Sequence, residues 1–136
     1  MIVVFDTNVV VEAIFWPRST GRRALTGLAE RKFKTAVNSA ILSEYSSVTA
    51  ELREKLFPGT RPSGALAWIA SKSIYVDPVP FRGKVSRDPD DNLFIATAVA
   101  ANAEFLITQD RDLLVLKKPF GVEIITPVQL LRVLQS

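Results

Sequence analysis

Short apolar segments alternate along this chain with longer segments that repeat at the helical period. Ile2–Phe5 is a continuous β-branched and aromatic run, as expected of a strand that is buried on both faces. Further strands are expected at residues 33–37, 73–76, 105–108 and 122–125. Strands that alternate with helices at these lengths predict a parallel sheet with right-handed crossovers. We therefore expect a single α/β domain over residues 1–136, in which three α/β/α layers enclose a mainly parallel, Rossmann-like sheet of about five strands.

The intervening segments have helical spacing. Helices are expected at residues 9–15, 18–31, 39–56, 65–71, 89–101 and 127–134, with a single turn at 113–114. The third helix, with Asn38 or Ser39 as its N-cap, carries an apolar stripe formed by Ile41, Tyr45, Val48, Leu52 and Leu56. Glu44 lies inside that stripe. A carboxylate on the interior side of a helix is costly unless it is paired or binds a cation, so Glu44 is a candidate functional residue.

The segment of residues 87–101 joins an acidic opening to an apolar run of helical spacing. Asp88 is a suitable N-cap, and Pro89 suits the first helical position because the N–H that it lacks has no intrahelical partner there. Asp90 and Asp91 then fall in the first turn, where the helix dipole stabilises a carboxylate by about 0.3–1 kcal/mol with no function required. Their position becomes informative only when the other carboxylates are considered.

Four carboxylates from four separate segments are expected at one edge of the sheet. Asp6 and Asp110 directly follow strands, Asp91 lies in the first turn of a helix, and Glu44 lies in the second turn of another. The carboxyl ends of parallel strands share that edge with the amino ends of the following helices, and open α/β folds bind ligands there. Four carboxylates in contact repel one another unless a cation neutralises them. Oxygen-only ligands suit Mg²⁺ or Mn²⁺, which performs phosphoryl chemistry.

The chain contains neither cysteine nor histidine. It therefore has no disulfide, no zinc–thiolate site and no thiol nucleophile, and it lacks the usual general base of hydrolases and metal-free ribonucleases. Its 17 basic residues exceed its 14 acidic residues by three, and setting the four edge carboxylates aside leaves 17 against 10, a net charge of +7. A basic surface around an acidic centre favours a polyanionic partner.

No targeting or membrane-spanning segment is expected. Residues 1–5 are apolar, but they are too few for a signal peptide and lack preceding basic residues, and no later apolar run approaches the ~20 residues that cross a bilayer. We expect a soluble protein with no membrane partner. The absence of cysteine is compatible with a reducing, cytoplasmic location.

Taken together, these residues resemble the motifs of PIN-domain ribonucleases over essentially the whole chain. The matching residues are Asp6, Thr7 and Asn8, then Glu44, then Asp91 and Asn92 before residues 95–98, and finally Thr108, Asp110 and Asp112. The chain is most similar to the toxin subgroup of VapBC-like toxin–antitoxin pairs. That resemblance implies an endoribonuclease that uses Mg²⁺ or Mn²⁺ to cleave single-stranded RNA, forms a homodimer and is silenced by a small antitoxin protein in its active cleft. It also implies an acidic quartet of Asp6, Glu44, Asp91 and Asp110, with Asp112 as an accessory.

Three polar groups beside the quartet have supporting roles in this interpretation. Thr7 and Asn8 are expected to orient Asp6 or a metal-bound water, with simple helix capping as the alternative. Thr108 is expected to act in the same way beside Asp110.

The roles of two arginines and the assignment of two of the aspartates have alternatives. Arg87 and Arg111 are candidate RNA contacts, although each can equally serve as a counter-charge to the acid beside it. The spacing to Asn92 and Ile95 selects Asp91 over Asp88 and Asp90. Asp110 and Asp112 are both candidates for the fourth position.

Two other functions compete with the nuclease. One is a PIN-like module that binds RNA or protein without cutting, although the presence of all four acids argues against it. The other is a metal-dependent phosphotransfer module of the receiver or phosphatase type. Such folds need a lysine after a late strand or an aspartate pair after the first, whereas Lys117 and Lys118 are poorly placed and Asn8 stands where the second aspartate would be.

Overall fold

Helices and strands alternate through the computed structural model, which describes residues 1–79 and 89–135, with the side chains of residues 89–91 outside that description. The strands are β1 (Ile2–Phe5), β2 (Lys34–Val37), β3 (Ser73–Tyr75), β4 (Phe105–Ile107) and β5 (Glu123–Ile125). The helices are α1 (Thr7–Phe15), α2 (Thr20–Ala29), α3 (Ser39–Leu56), α4 (Ser63–Ser71), α5 (Pro89–Ala100), α6 (Arg111–Leu114) and α7 (Pro127–Gln135), with a 3₁₀ turn at Pro119–Gly121. In this described part, none of the helices is long and apolar enough to cross a membrane.

The five strands form one sheet in the order β3-β2-β1-β4-β5, and all four neighbouring pairs are parallel. The central strand is β1, whose Val3 and Val4 are fully buried because helices cover both faces of the sheet. The register places Val3 opposite Thr35 on one side and opposite Phe105 on the other. The predicted parallel α/β sheet of five strands is confirmed.

The layers follow from the direction in which the chain crosses the sheet. The steps from β1 to β2 to β3 run toward one side, whereas those from β3 to β4 to β5 run toward the other. Because crossovers are right-handed, the two sets of connecting helices lie on opposite faces, which gives the predicted three-layer α/β/α fold. On its face, α5 packs on β1, β2 and β4 and buries Phe94, Ile95 and Ala98. Two other helices, α1 and α7, both pack against α2.

The buried stripe of α3 differs from the predicted one. Ile41, Tyr45 and Thr49 are buried, whereas Leu56 is 63% exposed. At 18 residues α3 is about 27 Å long, whereas a four-residue strand spans about 13 Å. The last turns of α3 therefore extend past the sheet, and their apolar side chains have no core to enter.

Candidate active site

Asp6 lies at the carboxyl end of the central strand and is only 5% exposed. Its backbone N–H donates to the carbonyl of Ile107 at 2.9 Å, which extends the pairing of β1 with β4 to this point. The residue is the N-cap of α1 by position, yet its side chain makes no capping hydrogen bond. Its carboxylate is therefore used for contacts other than helix capping.

Thr108 connects Asp6 with Asp110. The fully buried hydroxyl of Thr108 donates to Oδ2 of Asp6 at 2.7 Å and accepts the backbone N–H of Asp110 at 2.9 Å. A hydrogen bond to a carboxylate is stronger than one between neutral groups, so this contact fixes the orientation of the Asp6 side chain. The sequence indicated Thr108 only as a neighbour of Asp110, and the structure adds the contact with Asp6.

Asp110 and Asp112 have different surroundings at the start of α6. Asp110 is the N-cap of that helix, and its Oδ1 accepts the backbone N–H of Asp112 at 2.9 Å. Asp110 is half-buried, whereas Asp112 is exposed. Of the two, Asp110 is the one that Thr108 connects to Asp6.

Tyr45 brings Glu44 into the neighbourhood of Asp6. The buried phenol of Tyr45 donates to the backbone carbonyl of Phe5, the residue before Asp6. Burial raises the pKa of the Tyr45 phenol well above its ordinary value, and the negative charges of Asp6 and Glu44 raise it further. Both carboxylates therefore lie close enough to affect the same hydroxyl. The sequence placed Tyr45 in the core only, although a buried tyrosine hydroxyl needs a partner and that need is a usable signal.

Asn38 fixes the start of α3, the helix that carries Glu44. Its Oδ1 accepts the backbone N–H of Ile41 at 3.0 Å, which confirms the predicted N-cap. Its Nδ2 also donates to Oγ1 of Thr97 on α5 at 2.8 Å and to the carbonyl of Val76 after β3 at 3.2 Å. One buried amide thus joins β3, α3 and α5. The tertiary contacts of Asn38 were missed, because capping alone accounts for an asparagine at this position.

Asp91 lies in the first turn of α5, which begins at Pro89 as predicted. Its side chain is outside the described residues, as are the side chain of Asp90 and all of Arg87 and Asp88. The topology of a parallel sheet puts the amino end of α5 at the edge where β1 and β4 end. The assignment of Asp91 and Arg87 to the site therefore stays a prediction.

The remaining predicted groups lie around Asp6 and Asp110. Thr7 is 5% exposed, and among the residues that the structure describes its buried Oγ1 has no hydrogen-bond partner. Asn8 and Arg111 are exposed, in the first turns of α1 and α6 respectively. A buried hydroxyl without a partner is uncommon in proteins, so the one beside Asp6 indicates a contact with a group outside the described part of the chain.

The donor atoms at this edge can be compared with those that a metal ion requires. Among the described side chains, which do not include that of Asp91, no group of three or more acidic residues is close enough together to hold a metal ion. The donors that are present are carboxylate and hydroxyl oxygens, and the chain has no histidine or cysteine that would attract a softer metal. Together with the buried hydroxyl of Thr7, this donor chemistry fits a hard divalent cation.

Comparison with known proteins identifies the family. A family profile described as PIN domain matches residues 2–112, from β1 into α6. The chain belongs to the PIN-domain family. An uncharacterized protein of Methanocaldococcus jannaschii, MJ1680, is 32% identical over 117 residues, which are 85% of this chain and 74% of that protein. PIN domains are generally nucleases that use divalent metal ions.

Two solved structures share the fold of this PIN domain. One is VapBC2 from Rickettsia felis bound to a DNA fragment from its promoter, with a TM-score of 0.61 and 19% identity over 93% of this chain and 98% of that chain. The other is a PilT N-terminus domain protein from the archaeon Sulfolobus solfataricus, with a TM-score of 0.57 and 18% identity over 98% of this chain and 93% of that chain. At these identities the likeness concerns the fold.

A further acid beside the site of this PIN domain was missed by the sequence analysis. Glu12, on α1, accepts from Nε2 of Gln109 at 2.7 Å through its Oε2 and from the backbone N–H of Gly21 at 3.0 Å through its Oε1. Gln109 stands between Thr108 and Asp110, so Glu12 connects α1 and α2 with the loop that carries Asp110. Its spacing in the sequence gave no signal, because its partners are 9 and 97 residues away.

Proposed function

We propose that this PIN-domain protein is a metal-dependent endoribonuclease that cleaves single-stranded RNA by attack of a metal-activated water on the phosphodiester. The observation that carries the proposal is the pair of hydrogen bonds by which the Thr108 hydroxyl connects the carboxylate of Asp6 with the backbone of Asp110. It brings a buried carboxylate and a half-buried one to the ligand-binding edge of the sheet. The effect of Asp6 and Glu44 on Tyr45 supports a third carboxylate nearby.

Each acidic residue has a proposed role. Asp6, Glu44, Asp91 and Asp110 would hold Mg²⁺ or Mn²⁺, with Asp112 as an accessory. A bound divalent ion supplies a nucleophilic water at neutral pH and neutralises charge on the phosphate oxygens. The buried Thr108 hydroxyl orients Asp6, and Thr7 and Asn8 would orient Asp6 or a metal-bound water at the start of α1.

Basic residues would attract and hold the RNA. Arg111 is exposed in the first turn of α6, directly after Asp110, where a phosphate approaching the acids would meet it. We propose the same role for Arg87 from its place in the sequence. The excess of 17 basic over 14 acidic residues supports a polyanionic substrate.

The biological setting that we propose is that of a toxin in a cytoplasmic toxin–antitoxin pair. One structural neighbour is a VapBC2 assembly bound to its promoter DNA. By analogy with that assembly, a small antitoxin protein would bind this chain and silence it, and the toxin would form a homodimer. The M. jannaschii relative is uncharacterized, so the analogy rests on fold and motif.

The first prediction tests the cutting itself. A labelled single-stranded RNA should be cleaved internally in Mn²⁺ or Mg²⁺, EDTA should abolish cleavage, and Asp6→Asn should slow it by at least about a hundredfold because a ligand charge is lost with almost no change in volume. Glu123→Gln is the matched control, since Glu123 is an exposed acid that begins β5 at the opposite edge of the sheet. The measurement is the initial rate of product formation on a gel.

The outcomes separate the nuclease from the non-cleaving alternative. Cleavage that persists in excess chelator would rule out the proposed chemistry, because the chain has no histidine to act without a metal. RNA binding with no cleavage under any metal condition would favour the binding module. Equal losses in Asp6→Asn and Glu123→Gln would show that the effect of Asp6 is not specific to the site.

A further inference from the structure

A groove of about 860 Å³ runs beside α1, from the carboxyl edge of the sheet to the turn that joins α1 to α2. Asn8 and Glu12 line it on α1, and Trp16 and Arg18 line it in the turn. Asn8 follows Asp6 by two residues, so one end of the groove is beside the candidate active site. Cavities that bind small organic groups are typically about 300–1,000 Å³, so the groove has room for one or two nucleobases.

Trp16 is the main apolar feature of this groove, which we call the Trp16 groove. The residue is 45% exposed, although tryptophan is usually well covered in a folded domain. The indole meets the ring of Phe57 edge-on at 5.2 Å between centroids and that of Phe15 at 6.4 Å. These two contacts hold the indole in one orientation while nearly half of its surface stays in solvent. A rigid and exposed aromatic ring is what base stacking requires.

The polar groups of the groove do not repel a nucleic acid. The carboxylate of Glu12 accepts from the first turn of α2, where the helix dipole is positive, and from the side-chain amide of Gln109. Its charge is thereby compensated inside the protein. Arg18 is exposed at the far end of the groove and adds a positive charge there. The Gln109 contact also joins the groove to the loop that carries Asp110.

We propose that the Trp16 groove binds unpaired bases of the RNA, with Trp16 as the stacking surface and Arg18 as a phosphate contact. This proposal rests on the proposed function, since it assumes that single-stranded RNA is the substrate. Trp16 follows Asn8 by eight positions and caps the end of α1, which corresponds to a rise of about 12 Å. At about 3.4 Å per nucleotide in a stacked strand, the base on Trp16 lies a few nucleotides from the phosphate at Asp6.

Tryptophan fluorescence reports the stacking directly. The chain has two tryptophans, so Trp68→Phe leaves Trp16 as the single indole. Adding Asp6→Asn should slow cutting strongly, and it removes one negative charge from the site. Titration of this double variant with a short single-stranded RNA of mixed sequence, in EDTA, should quench the Trp16 emission. The same sequence as a perfect duplex should quench it much less, because paired bases are not available to stack.

Affinity measurements give a second, independent readout. In the Asp6→Asn background, Trp16→Ala should weaken binding of fluorescein-labelled RNA by about five- to 150-fold, the range for loss of one base–aromatic stack. Trp16→Phe should restore most of the affinity, and because it keeps an aromatic ring against Phe57 it also guards against a folding defect. Phe120→Ala is the matched control, since Phe120 is 63% exposed in the 3₁₀ turn before β5, at the opposite edge of the sheet.

The outcomes distinguish this proposal from the proposed function. If the wild-type protein cuts RNA and Trp16→Ala changes neither KM nor affinity, the nuclease stands and the Trp16 groove is wrong. If RNA quenches Trp16 but the wild-type protein never cuts, the groove stands and the nuclease is wrong. RNA that binds without quenching, or that fails to bind, overturns the groove proposal and leaves the surface to a protein partner.

Discussion

At the scale of single residues, Thr108 is important to the candidate site because it contacts both Asp6 and Asp110. One buried hydroxyl serves as donor to Asp6 and as acceptor for the backbone of Asp110. Removing it would leave a partly buried N–H and a buried carboxylate each short of one partner. Unsatisfied buried polar groups cost about 1–3 kcal/mol each, and more where a charge is involved. A conservative change at this residue should therefore alter both stability and activity.

The second prediction concerns Thr108→Val, which keeps the shape of the side chain and removes its hydroxyl. It should lower the free energy of unfolding by about 1–3 kcal/mol and should also slow RNA cutting, because Asp6 loses the group that orients it. Thr108→Ser retains the hydroxyl and should recover most of the cutting rate. Urea denaturation and cutting assays on both variants provide the measurements. A valine variant that cuts as fast as the serine variant would mean that the hydroxyl does not position Asp6.

The residues that the sequence identified and those it missed differ in a physical way. Asp6, Thr108 and Asp110 follow strands, and the end of an apolar run is visible in the sequence. Tyr45, Asn38 and Glu12 each make at least one hydrogen bond to a residue 38–97 positions away. Periodicity within one helix contains no information about such partners. The sequence therefore predicts which segments meet at the edge, but not the polar contacts that hold them there.

At the scale of elements, α2 fits closely between α1 and α7 because two of its residues have no side chain. A Cβ added at Gly21 would lie 2.9 Å from the carbonyl oxygen of Val9 in α1. A Cβ added at Gly27 would lie 2.5 Å from the ring of Phe33 and 3.2 Å from Leu134 in α7. The contact at Gly21 is the harder of the two to relieve, because the backbone carbonyl of a buried helix cannot move without moving the helix.

The third prediction compares two glycines at the second position of a helix. Gly21→Ala should lower the free energy of unfolding by about 1–3 kcal/mol, since overpacking against the Val9 carbonyl exceeds the gain in helix propensity. Gly64→Ala in α4 is the matched control: nothing lies within 4 Å of a Cβ there, so alanine should raise stability by up to about 1 kcal/mol. Urea melts of both variants decide the question. Equal stabilisation by both would show that α1 can move away from α2 at no cost.

The positions of the helices and strands were predictable from the sequence, whereas the burial of individual side chains on them was less so. All five strands and the main helices lie where apolar runs and helical spacing put them, within a few residues at each end. The error in α3 arose because spacing shows which residues share a face but not how far the sheet extends beneath that face. Leu52 is only half-buried and Leu56 is exposed for that reason, while Thr49 is buried although it is polar.

At the scale of the whole molecule, the proposed function places a cluster of negative charge at one edge of a protein whose net charge is +3. The unfolded chain separates Asp6, Glu44 and Asp110 by dozens of residues, whereas the folded chain brings Asp6 toward each of the other two. In the proposed site, the mutual repulsion of these carboxylates would be present mainly in the folded state. A cation that binds only the folded state relieves this repulsion, so stability and metal binding should be linked.

The fourth prediction uses the link between stability and metal binding and tests it with Asp6→Asn. Asparagine keeps an oxygen that can accept from Thr108 but removes the charge, so the variant should melt at a higher temperature than the wild type in EDTA. Mn²⁺ should stabilise the wild type by about 2.7 kcal/mol at a hundredfold excess over its dissociation constant, and it should stabilise the variant less. The measurement is a thermal melt of both proteins in EDTA and in Mn²⁺, with Glu123→Gln as the control whose metal shift should equal that of the wild type. If Asp6→Asn melts lower than the wild type in EDTA and shows the same shift with Mn²⁺, Asp6 supports the fold and does not bind metal.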